Sequence, residues 1–304
     1  MRNIAPGIGL IDLHFQGHPH YIACYVLETG SGVALVDPGP SSTLPALEEG
    51  LRLEGLSLDS VEALLLTHIH LDHAGASGTI VARNPAVQVH VHGRGARHMI
   101  DPSRLLASAG RLYGDRMDTL WGEFLPLPAA NVDRLEGGES LRLGGRSIDV
   151  AYTPGHAIHH VSYHDRSTGT AFVGDTCGIR IDNGPYVLPV TPPPDIDLDS
   201  WPSSIATIRA WDPAVLCPTH FGPARPAGEH LDEHERRLGE WGRRVREDLR
   251  AGVAPDEAAA RFAAEVGAEI EAATGPEAPI YLSGGGLRDS WQGLARYWTK
   301  RERG

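Results

Sequence analysis

The sequence predicts an α+β protein built as an αββα sandwich with a helical C-terminal extension. Two successive blocks repeat one order: strand-length apolar runs, a polar loop carrying His or Asp, then a helical stretch. From about residue 228 the chain turns Ala/Glu/Arg-rich, with helical spacing and no strand signal. At 304 residues, 41% hydrophobic and 22% charged, it can bury a substantial core and is not expected to be disordered. The expected division is a sandwich unit over 1–227, with a helical insertion at about 94–128, and an extension over 228–304 packed on it.

Taken in order, Ile8 to Phe15, Tyr21 to Leu27 and Val33 to Val36 are short β-branched or aromatic runs separated by HPH and GSG, the pattern of an antiparallel meander. Leucines at 44, 47, 51 and 53 predict a helix lying on the sheet, with Ser42 as its N-cap. Val61 to Leu66 is a near-continuous apolar run, hence a buried strand, and it ends abruptly in THIHLDHAG. Beyond the Arg/Leu-rich insertion, strand-like runs recur at Ser147 to Tyr152, His160 to Tyr163 and Thr170 to Val173. The Pro-rich piece from Leu188 to Pro194 reads as a stiff connector. Helices are expected at His230 to Arg250, Pro255 to Thr274 and Leu287 to Lys300, with no fixed-period repeat anywhere.

Charge and cysteine content exclude several classes of function. The formal net charge of −12 repels phosphate backbones and anionic lipid, so neither nucleic acid nor a membrane is an expected partner. Cys24, Cys177 and Cys217 form no CxxC pair and leave at least one thiol unpaired, which argues for a reducing cytoplasm rather than a disulfide scaffold. The start lacks a basic end followed by an apolar stretch, and no run approaches ~18 apolar residues. The anomaly is histidine, with 16 residues against 5 Phe and 3 Met.

Those histidines cluster in motifs. After Thr67 the chain reads His68-Ile69-His70-Leu71-Asp72-His73, an HxHxDH pattern. In an extended segment His68 and His70 project to one side, while Asp72 and His73 can turn to an adjacent position, so one short loop can serve two neighbouring metals. Thr153-Pro154-Gly155-His156, Gly174-Asp175 and Thr219-His220 each follow an apolar strand. Imidazole nitrogen and carboxylate oxygen suit zinc, with iron and manganese left open.

On these motifs the chain resembles the metallo-β-lactamase-fold hydrolase superfamily over about residues 8–225. The order HxHxDH, TPGH, GD and a late TH is shared with glyoxalase II, lactonases and their relatives. The resemblance implies two divalent ions: His68, His70 and His156 on one, Asp72, His73 and His220 on the other, and Asp175 bridging both. Asp37, in VDPG, would support the histidine loop from behind. A metal lowers the pKa of bound water from about 15.7 to about 7, about 12 kcal/mol less for making a nucleophile, so no Ser or Cys nucleophile is needed. The function expected is dinuclear metal-dependent hydrolysis of an ester, thioester or lactone of a small metabolite by a bridging hydroxide. Asp72 would orient that hydroxide and shuttle its proton.

Departures from the family's branches narrow this. His70 stands where flavodiiron-type sites carry glutamate. His73 and Asp175 argue against antibiotic hydrolysis. Gly178 replaces the tyrosine common in quorum-signal lactonases, and SGGGLRDSWQGLARYW shows no glutathione-binding signature. One rival is an oxidoreductase similar to persulfide dioxygenases, with one iron on His68, His156 and Asp175. Another is a non-enzymatic metal-binding or ligand-sensing protein. His159, His160 and Cys177 lie beside the motifs; packing is the plainer role for each, with a substrate or proton-relay role, or a place in the pocket, as the alternative. Tyr113, Trp121 and Phe124 of the insertion either wall a pocket or anchor the core. Dimers are common among soluble proteins, so a homodimer is an expectation that leaves a monomer open.

Overall fold

The computed structural model describes residues 1–284 and 286–303. The chain opens with an antiparallel meander, β1 (Arg2–Ala5), β2 (Ile8–Asp12), β3 (Ala23–Glu28) and β4 (Val33–Val36). Helix α1 (Leu44–Leu53) then crosses to β5 (Val61–Leu65), which pairs parallel to β4. The N-cap position of α1 is Thr43 and no side chain caps it. Ser42 instead donates its hydroxyl to the Leu120 carbonyl, 2.6 Å away, so its polar group ties down the insertion rather than the helix end. After α2 (Leu71–Ala74) and α3 (Ser77–Arg83) comes β6 (Gln88–His92), parallel to β5. The insertion folds as α4 (Gly93–Ile100), α5 (Ser103–Tyr113) and α6 (Met117–Trp121), and β7 (Val132–Leu135) closes a seven-stranded sheet in simple sequential order.

The second sheet has five strands in the order β12-β11-β10-β9-β8. They are β8 (Ser140–Leu143), β9 (Arg146–Tyr152), β10 (Val161–Asp165), β11 (Thr170–Phe172) and, after α7 (Trp201–Ala210), β12 (Val215–Cys217). Only β11 and β12 run parallel; the other pairs are antiparallel. Helices α8 (Ala227–Arg250), α9 (Pro255–Thr274), α10 (Ala278–Gly284) and α11 (Leu287–Arg303) follow.

Alternation along the first sheet divides the core in two. Tyr25, Leu27, Ala34 and Val36 face the second sheet and join Val150, Tyr163 and Phe172 in one cluster that continues outward to Trp201, Trp241, Phe262 and Trp291 of the later helices. Cys24, Val26, Val33 and Leu35 face the other way and pack with Leu47, Leu51, Ile80 and Met99 of the first helical layer. The layers are therefore helix, sheet, sheet, helix. Tyr163 binds the sheets together directly, its hydroxyl donating to the Leu66 carbonyl at 2.9 Å. All three cysteines are buried and free. Among the described residues, no helix is long and apolar enough to cross a membrane.

Candidate metal centre

Each motif residue leaves the carboxyl end of a strand. β5 runs into Thr67 and His68, β9 into the turn carrying His156, β11 into Asp175 and β12 into His220. His70 is the N-cap position of α2, which sets Asp72 and His73 on its single turn. Two glycines allow the close approach. Gly174 holds φ at +48°, and a Cβ there would lie 2.5 Å from His160 Nε2 and 2.6 Å from Thr67 Oγ1. At Gly155 a Cβ would meet the Trp201 ring at 2.5 Å.

The seven side chains named from the sequence come together. His68, His70 and His156 form one group, Asp72, His73 and His220 a second, and His68, His73 and Asp175 a third, each with its donor atoms within 4.8 Å of one another. Asp175 presents one oxygen to each side: Oδ2 lies 3.5 Å from His156 Nε2, whereas Oδ1 lies 3.4 Å from His73 Nε2 and 3.6 Å from His220 Nε2. Asp72 Oδ2 is 3.3 Å from His220 Nε2.

Outer partners fix which ring nitrogen faces inward. His73 Nδ1 donates to Asp37 Oδ2 at 2.8 Å, His156 Nδ1 to the Val190 carbonyl at 2.9 Å, and His220 Nδ1 to the Tyr21 carbonyl at 2.7 Å. His68 Nδ1 donates at 3.1 Å to Thr67 Oγ1, whose own proton goes to Asp37. In all four rings Nδ1 is engaged by an outer partner and Nε2 is the nitrogen turned inward, the arrangement usual for ligating histidine. Asp37, fully buried, also accepts from Thr67 N and Thr219 Oγ1.

Electrostatics separate the two halves. Burial lowers the pKa of His68 and His156 and pushes His70 down to about 3, so these three rings are neutral. Burial opposes charge on His73 and His220 as well, yet Asp175 and Asp72 outweigh it and raise both. Burial would likewise raise Asp175 and Asp72, but His73 and His220 hold both carboxyls well below the usual range.

This donor set fits a pair of divalent ions. His70 Nδ1 is 2.9 Å from His68 Nε2 and 3.0 Å from His156 Nε2, and one proton on His70 can serve only one of those two lone pairs. His73 Nε2 and Asp175 Oδ1 are buried without a hydrogen-bond partner. Cations satisfy both deficits.

The neighbours sort as follows. His160 donates from Nδ1 to Thr153 Oγ1 and accepts the Asp175 N–H at Nε2, 3.3 Å away, so it holds the Asp175 backbone. His159 borders the cavity that opens from the site. Cys177 is buried away from that cavity, and burial pushes its thiol up. Tyr113 and Trp121 line the cavity, with Trp121 also stacked on Phe15 at 5.4 Å, while Phe124 does not. The Pro-rich connector supplies the Val190 carbonyl and part of the cavity wall. Thr67 and Thr219 were not foreseen as functional; the Thr-His dipeptide that precedes both a loop and a late ligand position was the available signal.

Fold and donor set together define a histidine- and aspartate-lined cluster that could hold metal ions at one rim of an αββα sandwich. The chain belongs to the metallo-beta-lactamase superfamily, whose family model matches residues 18–220. A metallo-beta-lactamase fold-containing protein of Sulfurisphaera tokodaii is 28% identical over 72% of this chain and 79% of its own length. A hydroxyacylglutathione hydrolase of Aeromonas hydrophila is 30% identical over 50% of this chain, and the match spans only 46% of that relative. The crystal structure of a metallo-beta-lactamase family protein from Thermus thermophilus shares the fold over 98% of this chain and 94% of its own, at a TM-score of 0.70 and 23% identity.

Proposed function

We propose that the protein is a dinuclear metal-dependent hydrolase that cleaves an ester, thioester or lactone of a small metabolite in the cytoplasm. The observation carrying this reading is Asp175, one oxygen turned to each of two donor groups. His68, His70 and His156 would hold one ion and Asp72, His73 and His220 the other, with Asp175 shared; zinc suits the set, and iron or manganese are the alternatives. When bound, such ions supply Lewis acidity, bringing the pKa of water from about 15.7 to about 7 and polarising an acyl oxygen.

The chain's own residues supply the rest. Asp37, the Val190 carbonyl and the Tyr21 carbonyl bond Nδ1 of His73, His156 and His220, so that Nε2 of each ring is the nitrogen that would face an ion. Asp72, its Oδ2 3.3 Å from His220 Nε2, stands at the cavity wall, where it would orient the attacking water and relay its proton to the leaving group. A cavity of ≈ 710 Å³ opens directly on His70, Asp72 and His220, a size suited to a small molecule.

Elemental analysis of the native protein, paired with a screen of esters, thioesters and lactones, tests this reading. Two ions per chain and metal-dependent turnover are expected, and Asp175→Ala should lose at least one ion and the activity. A single iron with oxygen uptake on a persulfide would transfer the site to a dioxygenase using His68, His156 and Asp175. Metal that raises thermal stability without turnover of any substrate would make it a structural or sensing site.

A further inference from the structure

We propose that the wall of the cavity formed by α4, α5 and the turn into α6 is an anion-recognition subsite, so that the substrate carries a phosphate or carboxylate separated from the scissile bond by an apolar chain. The inference rests on the hydrolase reading above and names the substrate class of that site.

Local charge opposes the global balance. Residues 93–121 contain five arginines and three aspartates, with no lysine or glutamate, in a chain of net charge −12. Four of the five, Arg94, Arg97, Arg104 and Arg116, border the cavity that also reaches His70, Asp72, His156 and His220. Among the described residues none of these four is in a salt bridge, although Arg104 is close enough to Asp101 to add to the Ser103 hydrogen bonds in lowering its pKa. Arg94 lies 5.9 Å from the centre of the Tyr152 ring, and Arg97 Nε donates to His98 Nε2 at 3.1 Å. Arginines elsewhere in the fold are commonly paired, as Arg52 is with Glu49 and Arg244 with Glu265. Unpaired guanidiniums on a concave wall focus positive potential into it, and their planar forks match phosphate and carboxylate oxygens two at a time.

The same cavity has a large apolar share in its lining. Leu105, Tyr113, Leu120 and Trp121 line it, and two of the four exposed large hydrophobic residues of the fold, Leu112 and Ile158, stand on its border. The cavity also carries Asp195 and Asp289, neither of them in a salt bridge among the described residues; Asp195 acts electrostatically on His98 of α4 and Asp289 on Tyr113 of α5. Arginines, apolar side chains and metal-centre residues thus border one cavity.

Three thioesters with the same acyl chain test the subsite: one on neutral N-acetylcysteamine, one on mercaptopropionate, one on phosphopantetheine. Calorimetry with their unreactive thioether analogues on the metal-loaded protein should show an anionic analogue binding at least about tenfold tighter than the neutral one. Raised ionic strength and the double variant Arg97→Gln/Arg104→Gln should each erase that advantage, with the variant's thermal midpoint confirming its fold. Arg111→Gln, on the same helix but outside the cavity, should keep it. Which anionic analogue binds tighter identifies the anion. Equal binding of charged and neutral analogues, or an advantage that survives in the double variant, overturns the subsite. Turnover of the neutral thioester alongside such equal binding would leave the hydrolase reading standing; preferential anion binding with no turnover of any thioester, ester or lactone would leave the subsite standing and remove the hydrolase reading.

Discussion

Four donors converge on the carboxylate of Asp37: the N–H and hydroxyl of Thr67, His73 Nδ1 and the hydroxyl of Thr219, all within 2.8 Å. A neutral amide could accept on one oxygen only and would turn its own N–H groups toward donors. Asp37→Asn is the informative change, because the backbone there sits at φ +50°, a conformation Asn tolerates as well as Asp. The variant is expected to bind metal about 10–100-fold more weakly in chelator competition. Its stability in urea should fall by about 3 kcal/mol, from the donors left unsatisfied in a buried place. The sequence made Asp37 visible through VDPG, but its partners were not, since a threonine beside a histidine carries no mark of where its hydroxyl points.

Helix α8 poses the same question of buried polarity at the scale of an element. His230 and His234, one turn apart, are both buried; His230 Nε2 donates to the Cys177 carbonyl, whereas both nitrogens of His234 lack partners. Burial pushes their pKa values down to about 4 and about 3 from an ordinary 6.5. Above pH 6.5 neither the folded nor the unfolded chain protonates them. Below it the unfolded chain takes up protons that the folded one refuses, so stability is lost as pH falls toward the folded values. The two together should cost about 3 kcal/mol between pH 6.5 and 5. His234→Leu should flatten that slope in urea titrations at pH 7.5 and 5, and an unchanged slope would contradict the assignment. The long helices of this region were legible because their apolar faces repeat over several turns, as were the strands that end in the metal motifs. β7 and β8 were not: VDRL and SLRL are short, half-exposed strands whose charged residues interrupt any apolar run. α7, whose buried face mixes Ser204 with Trp201, Ile205 and Ile208, and α10, only seven residues long, carry no clear period either.

Across the whole molecule, the extension shares one core with the sheets. Tyr281 accepts the Ile181 N–H at 2.9 Å and donates to the Tyr186 carbonyl at 2.9 Å, and Trp241 and Trp291 join the cluster that holds Phe172 and Trp201. Cutting the chain after residue 227 would bare this face and orphan buried backbone groups. The 1–227 fragment is expected to be insoluble, and the full chain to melt in a single calorimetric transition whose van't Hoff and calorimetric enthalpies agree. The position of the helical insertion was legible, but the direction of its arginines was not, because spacing along a helix does not reveal which neighbour it will meet. The four strand ends that frame the metal centre also order events in time. Three proposed ligands are spoken for only after residue 150, the last at His220. A chain still emerging from the ribosome shows its HxHxDH loop long before the pocket exists, so the choice of ion falls to the finished fold and to whatever metal the surrounding fluid then offers.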